Sequence, residues 1–210
     1  MCLALILASI LNMKEVKGKG ALRTMIFMPC AMALISSAMI FRTLFGVDGM
    51  INFFLQQTGI ISSPILFLTD PFWAKFVVIL IITWRWTGYN TIFYLAGLQS
   101  IDDSIYESAR MDGASSIQQF FYLTIPLLRP IILLTLIMST NGTLQIFDET
   151  FTISLTGIPA VISISQYVYN LFFRISPQLG YASAVSYTIL IMVAILAFIQ
   201  MKIGDRKHDK

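Results

Sequence analysis

Apolar residues in this chain come in long runs, and the breaks between them are short and polar. About 20 predominantly apolar residues suffice for a helix to cross a bilayer. Residues 24–45, 73–98, 127–150 and 180–201 meet that length with few charges, and Pro29 and Arg42 interrupt the first of them. Residues 1–13 are as apolar but too short to cross alone. They do not read as a secretory signal, because no basic stretch precedes them and no small-residue cleavage site follows. The connections carry turn signals at Asp48-Gly49, Ser63-Pro64 and Asp70-Pro71, and the INFFLQQ stretch at 51–57 suits an interfacial position. Residues 151–179, with Gly157, Pro159 and Pro177, are expected to be irregular. The pattern predicts an all-α integral membrane protein with about four full transmembrane helices plus one partial N-terminal span, as a single domain over residues 1–210.

One connection is unlike the rest. Residues 104–126, SIYESARMDGASSIQQFFYLTIP, form a charged, amphipathic insert between two spans. Ser104 and Glu107 have the spacing of a capping box, and Ser115 and Gln118 repeat it. Gly113 lies between, where a glycine ends a helix in the left-handed conformation without steric cost. The insert reads as helix, glycine turn, helix. Segments of about nine residues are too short to be stable in water without packing. A short helix held at a membrane surface suits docking into a partner's groove.

Composition narrows the chemistry. The chain is 57% hydrophobic and 12% charged, against about 25% charged in soluble domains. Cys2 and Cys30 lie in apolar runs and read as packing residues, and His208 is the one histidine, so a metal site has no ligand set to build on. Lys17-Gly18-Lys19-Gly20 lacks the spacing of a phosphate cradle, so any ATP that drives the protein is bound by another chain. Asp102, Asp103, Glu107 and Asp112 raise the alternative of a membrane enzyme. They have neither a nucleophile–base pair nor a metal set around them, and look like a solvated face.

Of 14 Lys and Arg residues, ten fall in 14–23, 110–129 and the tail, on one side of the predicted topology. Arg42, Lys75 and Arg174 fall on the other, and Arg85 lies within a span. Positive residues favour the inside, which puts the 104–126 insert and the C-terminus in the cytoplasm of a multi-pass cell-membrane protein. The net charge of +3 then reflects topology, and nucleic acid binding does not follow from it.

Polar groups inside a bilayer are costly. Thr83, Thr87 and Asn90 share one helical face, and Asn141, Gln145 and Asp148 repeat the spacing on the next span. Such stripes line a path for a hydroxyl-rich solute or bond one helix to another. Arg85, near midspan, must reach water or an acid. It reads as a gate or substrate ligand, or as a structural cation in a hydrated cavity paired with a residue of a partner subunit.

Glu107-Ser108-Ala109, Asp112-Gly113-Ala114 and Ile125-Pro126 together resemble the EAA loop of binding-protein-dependent ABC importer permeases, with Ser108 in place of the middle alanine. GLQSI at 97–101, PLLRP at 126–130 and GYASAVS at 180–186 extend the likeness, in order, to the sugar-permease branch and to nearly the whole chain. The resemblance implies ATPase coupling through Glu107, Ser108, Ala109, Asp112, Gly113, Ala114 and Pro126. It implies solute contacts at Thr83, Thr87 and Asn90, then at Ser139, Thr143 and Ile146, a different face from the stripe at Asn141 and Gln145. It also implies a second permease subunit, two ATPase subunits, an extracellular solute-binding protein and no cofactor on this chain, with ATP on the partner subunits. Residues 1–13 would be the cytoplasmic half of a second span, with the first span absent. GIP at 157–159 stands where the family tends to have a longer Gly-rich stretch. An importer for another solute class is the alternative.

Overall fold

A computed structural model describes residues 1–13, 17–154, 159–173 and 177–205. Lys14, Gly157, Arg174 and the tail from Arg206, all used above, lie outside the described residues. Among those described, every regular element is a helix.

α1 (Cys2–Asn12) buries Ala4, Ala8 and Leu11, the i, i+4, i+7 face of one helix. α2 (Lys19–Ala31) and α3 (Leu34–Leu44) come from the single run read at 24–45. The run is broken, because the helix stops two residues after Pro29 and Ala33 takes an extended conformation before α3, as in a broken span or a re-entrant loop. Pro29 removes one N–H and crowds the carbonyl four residues back, which weakens the turn that ends there.

α4 (Met50–Gln57) is the interfacial stretch. Its Asn52 is buried, and the side-chain amide donates to the carbonyls of Gly46, Val47 and Ile65 while accepting from the Ile65 N–H. One side chain thus ties the segments on both flanks of α4 to it. Asp70 starts α5 (Pro71–Gln99), accepting from the N–H groups of Phe72 and Trp73, and Pro71 occupies a first-turn position where no N–H is needed.

The insert supplies α6 (Asp103–Met111) and α7 (Ser116–Gln119), then a π-helical segment, Phe120–Thr124. α8 (Ile125–Leu127) leads into α9 (Arg129–Leu144), and α10 (Asp148–Ser154) follows. α11 (Ile164–Phe173) lies in the stretch read as irregular, and α12 (Leu179–Asp205) closes the chain. Ser163 accepts from the Gln166 N–H at 3.1 Å, so the Ser-x-x-Gln spacing that opens α11 was the missed helix signal. Among the described residues, three helical stretches are long and apolar enough to cross a membrane, Pro71–Gln99, Arg129–Ile153 and Leu179–Gly204, and the α2–α3 pair makes up to four if it counts as one span.

The chain divides into two compact units. The first holds Met1–Cys30, Trp86–Thr140 and the stretch from Ala197. Its core is Ala4, Ala8, Leu11, Tyr94, Leu95, Leu98 and Leu128. Tyr94 and Thr135 share a buried hydrogen bond of 2.9 Å, and Arg129 donates to the Gly204 carbonyl near the end of α12. The second unit holds Ala31–Arg85 and Asn141–Leu196, with a core of Phe45, Phe67, Ala74, Val77, Val78, Ile81 and Ile153.

Gly88 on α5 permits a backbone-to-backbone approach in the first unit, since a β-carbon there would collide with the Ile26 carbonyl oxygen. Gly88→Val is expected to destabilise the protein by about 1–3 kcal/mol through overpacking. A thermal melt in detergent checks this, and an unchanged midpoint would contradict the close approach.

Candidate functional site

The insert is built by local capping chemistry in the first unit. Asp102, not Ser104, is the N-cap of α6, and its carboxylate accepts from the Ser104 N–H at 2.9 Å. The backbone N–H of Ser104 is the main cause holding that carboxyl below its ordinary value, so the charged cap persists near neutrality and is lost only as acid titrates it below that value. The expected Ser104–Glu107 box is therefore displaced. Asp is as good a cap as Ser and stands two positions earlier, which carries Glu107 beyond the first turn.

α6 ends as the glycine predicts. Gly113 has φ +79°, its N–H reaches the Arg110 carbonyl at 3.0 Å, and the Ala114 N–H reaches the Ala109 carbonyl at 2.9 Å. Those two bonds make a complete Schellman motif. α7 starts with the predicted Ser115–Gln118 capping box, both halves formed. The second helix departs from expectation, since after four residues the winding widens into the π segment. π turns are rare and often mark functional sites.

Of the residues on which the resemblance places ATPase coupling, Glu107, Ser108, Asp112, Gly113 and Pro126 are exposed, and Ala109 and Ala114 are half-buried. Ala109, Asp112, Gly113 and Ala114 line a shallow hollow of about 350 Å³ with Tyr122. Glu107 faces a separate cavity of about 440 Å³, shared with Asp103, Arg110, Gln119 and the end of α1 at Ser9 and Asn12. The apolar residues Met111, Ile117 and Tyr122 are strongly exposed, Met111 at 90%.

The polar positions in the spans separate by unit. In the first, Thr87 and Asn90 are buried, and Asn90 exchanges hydrogen bonds of 3.2 Å with the Ser139 hydroxyl, which joins α5 to α9. The pair on which the resemblance places solute contacts thus satisfies itself in this conformation. In the second, Thr83 and Thr143 are exposed and Ile146 packs against the core. Gln145 lines an open cleft of about 500 Å³ with Ser165 and Ser186 and a mostly aliphatic wall, and Asn141 is half-buried.

Arg85 finds its acid within the same chain. Its guanidinium pairs with the Glu149 carboxylate at 2.5 Å, the two side chains being 16% and 1% exposed. This corrects the expectation of a partner-subunit residue. Glu149 went unnoticed because Asp148, one position earlier, fitted the polar spacing. The one signal in the sequence was an acid, Glu149, at the end of the next apolar run after an intramembrane arginine.

The chain as a whole is similar to known proteins. Residues 1–207 match the family model described as binding-protein-dependent transport system inner membrane component. The chain belongs to that family. This permease is 53% identical over 201 residues to the lactose transport system permease protein LacF of Rhizobium radiobacter, covering 94% of this chain and 67% of the relative. It is 32% identical over 209 residues to the trehalose/maltose transport system permease protein MalF of Thermococcus litoralis, covering 99% and 69%. The permease thus spans about two thirds of the length of the curated relatives it matches. Its fold matches a chain in the crystal structure of a bacterial ABC transporter that imports the acidic polysaccharide alginate, with TM-score 0.87 and 24% identity over 98% of this chain and 72% of that one. A second structure, the alginate transporter in complex with an alginate pentasaccharide-bound periplasmic protein, matches at TM-score 0.76 and 26% identity, over 97% of this chain and 70% of that one. The permease is a multi-pass membrane protein of a transport family, and not an enzyme in itself.

Removing one partner of a buried ion pair strands the other charge at a cost of about 3–5 kcal/mol, whereas apolar replacement of both is often neutral. Glu149→Leu is therefore expected to lower the yield of folded permease sharply, and Arg85→Met with Glu149→Leu to restore most of it. Monodisperse protein recovered by size-exclusion chromatography measures both. Equal yields from the single and double variants would show that the pair is not the stabilising contact.

Proposed function

We propose that this chain is one of two permease subunits of an ABC importer for sugars or sugar derivatives. Two separate ATPase subunits dock on residues 104–126, and an extracellular solute-binding protein delivers the solute. The observation that carries the docking reading is the insert itself, a capped nine-residue helix with a glycine reversal behind it and exposed Glu107, Ser108 and Met111. A cytoplasmic insert and C-terminus follow from the charge asymmetry of the sequence. Sugar as the solute class rests on relatives named for lactose, trehalose/maltose and arabinooligosaccharide transport. ATP hydrolysis on the partners moves the insert, and the spans alternate between inward- and outward-facing states. Thr83, Thr87, Asn90, Ser139, Asn141, Thr143 and Gln145 are the proposed solute pathway, with the Asn90–Ser139 bond opening when solute passes.

Two experiments test this reading. Cysteine placed at Ser115 should be labelled by a membrane-impermeant reagent only from the cytoplasm, and cysteine at Ser62 only from outside. Labelling of both from one side refutes the orientation. A β-branched side chain at Gly113 costs about 1–2 kcal/mol in the left-handed conformation, so Gly113→Val mis-aims α6. Gly113→Val and Glu107→Lys are expected to insert normally yet lose most of the co-purified ATPase. Asn90→Ala should keep the ATPase and change uptake across a panel of sugars, peptides and amino acids. Full ATPase retention by both insert variants rules out the docking role.

A further inference from the structure

We propose that Tyr106 is a positioning residue whose hydroxyl, bonded to Thr124, makes the insert move as one body with the start of α9. The inference rests on the docking reading above and adds how a push on α6 reaches the membrane. Only Gly113 and Ala114 lie between the C-cap of α6 and the N-cap of α7. A two-residue turn at a glycine is a natural pivot, so a force on α6 would be lost there without cross-links.

Three side-chain hydrogen bonds close that pivot. The Gln119 amide donates to the Ala114 carbonyl at 2.8 Å. The Thr124 hydroxyl donates to the Gln119 carbonyl at 3.4 Å. Thr124 and Tyr106 lie 3.0 Å apart between hydroxyl oxygens. Either hydroxyl can donate in the last bond, which joins α6 to the end of the π segment. Gln119 and Thr124 are 7% and 5% exposed, so water competes little for these partners. Thr124 is the last residue of the π segment and adjoins α8, which leads into α9.

Tyr106, Gln119 and Thr124 all border the cavity of about 440 Å³ that is also lined by Ser9 and Asn12 of α1 and Leu98 of α5. Close-packed interiors transmit strain because they lack such voids. The Tyr106–Thr124 bond therefore stands where packing is incomplete.

The test uses the assembled transporter in lipid nanodiscs, with Cys2 and Cys30 replaced by serine and spin labels at positions 104 and 127, which leaves the exposed Glu107, Ser108 and Met111 of the docking reading untouched. Electron–electron resonance reads the distance distribution between the labels, with and without ATP–vanadate. The parent should give one narrow peak in both states. Tyr106→Phe and Thr124→Val should each raise the fraction outside that peak about two- to tenfold, the range expected for one neutral hydrogen bond. The double variant should be no broader than either single one, and Thr124→Ser, which keeps the hydroxyl, should match the parent. All variants should retain the ATPase. A narrow parent-like peak in Tyr106→Phe overturns the proposal, as do additive effects in the double variant. Loss of the ATPase from Tyr106→Phe overturns it too, by making Tyr106 part of the docking surface. Failure of the docking reading is a separate result, read from ATPase retention by Gly113→Val and Glu107→Lys.

Discussion

Arg85 lies in a 29-residue helix whose neighbours are mostly apolar, and a guanidinium at that depth is tolerated only beside an acid or water. Glu149 supplies the acid from the helix that follows α9, and the pair belongs to the unit whose core is Val77, Ile81 and Ile153. Ile153 is one helical turn from Glu149, so the charge pair and the apolar contact hold the same short helix. Desolvation makes such a pair a poor source of stability and a strict specifier of arrangement, since any packing that separates the charges is penalised twice. The fold of this unit is thereby tied to one register of α5 against α10.

The first unit solves the same problem with neutral groups. Asn90 with Ser139 and Tyr94 with Thr135 join α5 to α9 by side-chain bonds, while Gln200 donates to Thr140 from α12. Interhelical hydrogen bonds of this kind are worth only about 0.6–2 kcal/mol each in membranes. They are strong enough to select a packing and weak enough to exchange partners.

Much of this was legible in the sequence, in uneven measure. The long helices α5, α9 and α12 fall on the apolar runs while the run at 24–45 breaks in two, and the Schellman turn at Gly113 and the box at Ser115–Gln118 followed from spacing alone. Both are local, set within six residues, where sequence patterns are most informative. The cap at Asp102 was missed because two acids and a serine in a row offered competing caps and spacing does not rank them. The Glu149 partner and the Tyr106–Thr124 bond were missed because they depend on approach between distant segments, 64 and 18 residues apart in sequence (149 − 85 and 124 − 106). The π segment has no periodicity to betray it over five residues.

The break between α2 and α3 has an implication for depth. Each helix end leaves about four backbone groups without an intrahelical partner, so a break in mid-run adds four carbonyls and four N–H groups at one level. No side chain caps α3. Hydrocarbon tails offer such groups nothing, and non-helical backbone survives at membrane depth only where protein covers it or water reaches it. Wherever this run enters a bilayer, Met32 and Ala33 must therefore face protein or water and cannot face lipid tails. The interruption thus restricts which side of the run the hydrocarbon can touch.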